Sequence, residues 1–197
     1  SEAQMAPVFG MVVADFDGDG REDAFLAQNF FAMRPEDMRL DAGLGLLLRG
    51  DGRGGFAAMS AASSGIVIAG EQRGCATGDF DEDGRPDLVV AQNGSATRLL
   101  RNVGGSPGLR VRLVGPPGNP AGLGASIRLK FNDRLGPARL VSGGGGYDSQ
   151  DSPTPILATP EPATGVEVIW PGGKKTFAEL PTNARRVAVA QDGAMSE

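Results

Sequence analysis

A nine-residue acidic pattern, Asp-x-Asp-x-Asp-Gly-x-x-Asp, occurs twice in this chain, and no other feature constrains its fold as strongly. Asp15-Phe16-Asp17-Gly18-Asp19-Gly20-Arg21-Glu22-Asp23 runs into Ala24-Phe25-Leu26-Ala27-Gln28-Asn29. Asp79-Phe80-Asp81-Glu82-Asp83-Gly84-Arg85-Pro86-Asp87 runs into Leu88-Val89-Val90-Ala91-Gln92-Asn93. Each matched residue returns 64 positions later, so the two segments are copies of one unit.

Four carboxylates within nine residues repel one another unless a cation sits among them. Calcium takes about six to eight hard oxygen ligands, and a tight loop can aim alternate side chains at one centre. Glycine at the sixth position permits the sharp turn. The first expected ligand set is Asp15, Asp17, Asp19, the Arg21 carbonyl and Asp23. The second is Asp79, Asp81, Asp83, the Arg85 carbonyl and Asp87. Two Ca²⁺ ions are therefore expected. An EF-hand would place a glutamate at position twelve between helices, but Leu26 and Val90 stand there. The competing readings are polar turns without metal and a catalytic carboxylate pair; the duplication favours a metal scaffold over the pair.

Apolar stretches flank each loop: Val8 to Ala14 before the first, Phe25 to Ala27 after it, then Leu44 to Leu48 and Ile66 to Ile68. With a Gly-rich turn at Asp51 to Gly55, these read as about four strands per repeat, the size of a β-propeller blade. The expected fold class is all-β: two four-stranded blade-like repeats, a partial propeller, followed by an antiparallel β-sandwich. The 31 glycines and 14 prolines agree with frequent turns.

Composition excludes several kinds of chemistry. The chain has no histidine and one cysteine, Cys75, so an internal Ser-His-Asp or Cys-His pair, a His-rich zinc site and an intrachain disulfide are all ruled out. Cys75 reads as a small buried strand residue. The net charge of −5 does not suit a general nucleic-acid binder. No apolar run reaches the roughly 20 residues needed to span a bilayer, and no secretion leader is readable at the terminus.

Residues 8 to 103 resemble the FG-GAP/VCBS family, whose acidic hairpins recur in extracellular β-propellers. The remainder resembles the ASPIC/UnbV domain of cartilage-acidic-protein-like and bacterial secreted proteins. The matching pieces are Leu109 to Gly115, Asn119 to Leu129, Gly146-Tyr147 with Ser149-Gln150, and Val166 to Gly172. A His-Phe-Gly-Leu-Gly type stretch of that family is replaced here by Pro155 to Pro160, so no role of that stretch carries over. The resemblance implies a secreted, periplasmic or cell-surface location.

The resulting division is 1–103 for the two repeats, 104–108 for a Gly-rich linker, 109–192 for the sandwich and 193–197 for a flexible tail. Alternation at Leu109, Val111 and Leu113, and again at Ile127, Leu129 and Phe131, marks half-buried strands. Others are expected near Ala138 to Val141, Val166 to Trp170 and Arg186 to Ala190. The Gly143 to Asp151 segment reads either as a ligand-gripping loop or as a connection. Lys174-Lys175 and Arg185-Arg186 read as solvated hairpin ends, and Trp170 as core.

Two blades are too few for a closed propeller of about 4–8. Either the chain belongs to a longer propeller protein, or the open edges are covered by its own C-terminal half, by another chain or by a second copy. The expected function is a calcium-binding, non-enzymatic extracytoplasmic module for adhesion or for protein or glycan binding. The alternatives are an accessory part of a carbohydrate-active enzyme, with Asp148, Asp151 or Glu161 as acids, and a structural spacer.

Overall fold

Most runs of alternating apolar residues become strands, and in the computed structural model, which describes residues 2–196, nearly all of the regular secondary structure is strand. The first blade is an antiparallel meander of β1 (Val8–Ala14), β2 (Asp23–Gln28), β3 (Leu46–Gly50) and β4 (Phe56–Ala58). A one-turn helix, α1 (Ala61–Ser64), follows, capped by the Ser60 side chain and ended by Gly65 in the left-handed region. The second blade is a three-stranded meander of β5 (Glu71–Gly78), β6 (Asp87–Asn93) and β7 (Ser95–Leu100).

Two details differ from the sequence expectation. Among the described residues the second blade has three strands and no fourth. Ile66 to Ile68 is an extended connection without a strand partner. Its alternation reports burial and not pairing: Ile66 and Ile68 enter the core while Val67 is exposed, and the Ile68 N–H donates to the Leu44 carbonyl at 2.8 Å.

The blades pack face to face around Val12, Phe25, Ala27, Cys75, Leu88 and Val90. Cys75 is the buried strand residue expected, and burial pushes its thiol up to about 12, which keeps it protonated. The innermost strands β1 and β5 approach so closely that a Cβ on Gly10 would lie 2.4 Å from the Arg73 carbonyl oxygen.

The C-terminal half contains β8 (Leu109–Val114), β9 (Ser126–Lys130), β10 (Arg139–Leu140), β11 (Ile156–Leu157), β12 (Gly165–Ile169), β13 (Lys175–Glu179), β14 (Arg186–Ala190) and β15 (Met195–Ser196). They form two four-stranded sheets, ordered β10-β9-β12-β13 and β11-β8-β14-β15. Their inner faces share one core that includes Leu109, Val111, Ile127, Val166 and Val168. Trp170 is core as expected, its indole N–H donating to Thr176 Oγ1 at 2.9 Å. The sandwich is not purely antiparallel, because β14 runs parallel to β8. Nor is the region after 192 a loose tail: Met195 and Ser196 pair with β14, and Glu197 lies outside the described residues.

The two halves are joined along the free edges of β1 and β5. In a sheet, such edges offer unpaired N–H and C=O groups that must be covered. Arg139 donates to the Val13 carbonyl at 2.5 Å and pairs with Glu22. The Thr77 N–H donates to Asp151 Oδ1 at 2.8 Å, and the Ser152 N–H to the Thr77 carbonyl at 2.8 Å. Tyr147 stands edge-on to Phe9, with ring centroids 6.1 Å apart. The Gly143 to Asp151 segment is thus a clasp between the halves.

The tight β1–β5 approach yields a test. Gly10→Ala should lower unfolding stability by about 1–3 kcal/mol, because its new methyl meets backbone rather than a movable side chain. Gly104→Ala, with nothing within 4 Å of the added Cβ, should stay within about 0.5 kcal/mol of the parent. Urea unfolding of both variants measures the difference; equal stabilities would show that the strands relax apart without loss.

Candidate metal centre

Each acidic loop is the turn of a β-hairpin, strung between an inner strand and its neighbour: β1 to β2 in one blade, β5 to β6 in the other. The glycines expected at the sixth position adopt the backbone that only glycine takes readily, with φ of 89° at Gly20 and 85° at Gly84. At the fourth position Gly18 has φ 76°, and its counterpart Glu82 has φ 61° despite carrying a side chain.

Backbone N–H groups fold the loops around their first and last aspartates. Asp15 accepts from Gly18 and Gly20 at 2.7 Å each and from Asp19 at 3.1 Å. Asp79 accepts from Asp83 and Gly84 at 3.0 Å each. Asp23 accepts from Phe16 and from Gly50, and Asp87 accepts from Phe80 and from Asn102 in the corresponding way.

This folding brings carboxylate oxygens of Asp15, Asp17 and Asp19 within 4.8 Å of one another, and likewise those of Asp79, Asp81 and Asp87. Asp23 and Asp83 stand outside these groups. Both oxygens of Asp23 are held by backbone N–H, and Asp83 accepts the Arg85 N–H and pairs with the Arg85 guanidinium at 2.8 Å. The Arg21 side chain likewise turns back to Asp19, at 3.6 Å.

The donor set suits a hard divalent cation: three close carboxylates gather in each loop. The electrostatics agree. Burial, with Asp19 and Asp17 nearby, pushes the Asp15 carboxyl up from 3.8 to about 6, against the lowering effect of the Gly20 and Gly18 hydrogen bonds. Burial also raises Asp23 and Asp79. Carboxylates held so close in a desolvated turn gain from any cation placed among them.

Cations of the protein already approach both clusters. Arg49, at the end of β3, lies 2.6 Å from Asp17 and 3.3 Å from Asp19. Arg101, just after β7, pairs with Asp81 and reaches to 4.0 Å from Asp83. The loop pattern did not point to these arginines. Their signal is the shared Leu-Leu-Arg of Leu47 to Arg49 and Leu99 to Arg101, which recurs at a different spacing from the loops because Gly94 alone separates β6 from β7.

The linker also belongs to the site. Ser106 donates to the Asp17 carbonyl at 3.0 Å and Gly108 to the Gly84 carbonyl at 2.8 Å, so residues 104–108 are seated on both loops. Two of the three acids considered for sugar chemistry have other partners: Asp151 takes the Thr77 N–H, and Glu161 pairs with Arg134; Asp148 stands in the clasp with a left-handed backbone, φ 41°.

The fold and the paired loops define a protein of duplicated acidic β-hairpins joined to a β-sandwich. More specifically, residues 15–90 match an FG-GAP-like repeat and residues 115–196 match the ASPIC and UnbV domain, so the chain carries the first followed by the second. No curated protein matches the chain. No helix among the described residues is long and apolar enough to cross a membrane.

The buried Asp15 carboxyl gives a pH test. Its folded pKa lies above the unfolded value, so between about pH 6 and pH 4 the metal-free folded state binds the extra proton and gains stability as pH falls. Metal-free protein should therefore hold a larger melting-temperature advantage over Asp15→Asn at pH 5 than at pH 7.5. An advantage that shrinks towards pH 5 would show that Asp15 is not a strained carboxylate.

Proposed function

We propose that each acidic loop binds one Ca²⁺ and that the chain is a calcium-stabilised, non-enzymatic extracytoplasmic module for adhesion or for binding a protein or glycan. One observation carries the reading: two loops 64 residues apart in sequence gather three carboxylates each in the same β-hairpin turn. Asp15, Asp17 and Asp19 are the ligands assigned to the first ion, and Asp79, Asp81 and Asp87 to the second. Asp23 and Asp83, with the carbonyls of Arg21 and Arg85, complete the shells once the metal draws the loops inward.

Calcium supplies a structural charge here and no chemical step. It neutralises the loop carboxylates, and the hairpin turns then stiffen the blades against which the linker and the sandwich pack. Extracellular calcium sites bind at about 10⁻⁴–10⁻³ M, a concentration found outside the cytosol. This favours the location implied by the FG-GAP-like repeat, a type that is typically extracellular.

Thermal unfolding of metal-stripped protein with added CaCl₂, and with MgCl₂ as control, tests the proposal. At 100 times the dissociation constant each site stabilises by about 2.7 kcal/mol. Asp17→Ala and Asp81→Ala should each remove part of the calcium-induced rise, and the double variant all of it. A melting temperature indifferent to calcium would mean that Arg49 and Arg101 are the loops' permanent counter-ions.

A further inference from the structure

The outer face of the β8–β14 pair carries an unusual density of arginine. Alternation puts Val111, Val187 and Val189 into the core, and so turns Arg110, Arg112 and Arg186 to the other side. Arg110 stands directly opposite Arg186 in the parallel register, and Arg112 opposite Ala188. The small alanine leaves room, and a cleft of about 250 Å³ opens there, lined by the three arginines, Thr154 and Glu82.

The charges in this cleft do not cancel. Arg110 is shared between Asp79, at 3.4 Å, and Glu82, at 3.5 Å. Arg186 approaches Glu82 only to 3.9 Å. Arg112 has no ion-pair partner among the described residues. These separations exceed those of a tight charge-assisted hydrogen bond, about 2.7–2.9 Å, so the acid that faces the arginines is loosely held.

That acid is itself out of place. Glu82 holds a left-handed backbone, φ 61°, where the first loop has Gly18. Such a conformation is disfavoured for a residue with a side chain. Its carboxylate, on a largely exposed side chain, leans over the Arg110–Arg186 pair as an internal stand-in for an anion.

We infer that the cleft formed by Arg110, Arg112 and Arg186 is a binding site for a multiply charged tetrahedral oxyanion, a sulfate or phosphate group, with Glu82 as the displaceable internal competitor. Three guanidiniums offer several forked N–H donors, which suit such an anion better than a singly charged carboxylate. No aromatic side chain lines the cleft to stack a nucleobase. Arg186, read from sequence as a solvated hairpin end, is thereby given a role. None of its three arginines is a metal ligand, but Arg110 pairs with Asp79 and Glu82 belongs to the second acidic loop, so the cleft adjoins the proposed calcium site.

The test is calorimetric titration of the full chain with sodium sulfate at constant ionic strength, with sodium phosphate added in calcium-free buffer and sodium acetate as the singly charged comparison. Saturable sulfate or phosphate binding is expected, the tighter of the two naming the source. Arg112→Gln with Arg186→Gln should weaken it about tenfold or more through loss of charge-assisted bonds. Glu82→Gln should tighten it several-fold by removing the competitor. The double arginine variant should keep the parent's response to calcium, which shows that it is folded. The absence of saturable binding, acetate binding as tightly as sulfate, or undiminished binding by the double arginine variant overturns the assignment.

Discussion

The crowding of carboxylates in two hairpin turns is the constraint around which this molecule is organised. Left in water, Asp15, Asp17 and Asp19 would separate. In the folded chain they are pulled together by backbone N–H groups that the glycine turns aim inward. The repulsion this stores must be met by positive charge, and the protein recruits it from several directions. Arg49 comes from β3, Arg101 from just beyond β7, and Arg110 from the sandwich. The linker amides of Ser106 and Gly108 dock on the same turns. The acidic loops are therefore the place where blade, linker and sandwich are fastened to one another.

Covering the blade edges follows from the same arrangement. A two-blade array leaves β1 and β5 without lateral partners, and exposed edges invite pairing with other chains. Here the backbone groups of Val13 and Thr77 are taken by Arg139, Asp151 and Ser152. The sandwich thus serves the blades as a cover, while the blades give the otherwise irregular 143–152 segment a surface to lie on. Neither half presents that edge to solvent at these positions.

Much of this was legible in the residues. The duplicated loops, the left-handed glycines at Gly20 and Gly84, the strands around Val8 to Ala14 and Val166 to Ile169, and the burial of Cys75 and Trp170 all follow from spacing and alternation. What escaped is equally instructive. Ile66 and Ile68 alternate like a strand because every second side chain enters the core, yet the segment makes a single backbone bond to Leu44 and forms no strand ladder. Met195 and Ser196 were unreadable because two residues carry no period, and only the neighbouring β14 makes them a strand. The arginines that reach the loops were hidden because ion pairs across sheets leave no local pattern. Leu-Leu-Arg repeats at its own spacing, and Arg110 is a polar strand residue like any other until β8 is seen beside the second loop.

The parallel pairing of β8 with β14 bears on how the molecule is made. The strand that opens the sandwich finds its main neighbour only after Arg186 to Ala190 have been synthesised, with five strands threaded between. Contacts so distant along the chain form late, because the entropy of closing the intervening loop must be overcome before they give any return. The blades, built from neighbouring hairpins, are free to close first. Until the β8–β14 pairing forms, the apolar side of β8 lacks its main cover. The last strands to be made are thus the ones that close the sheet that β8 opens, so the two ends of that domain depend on each other.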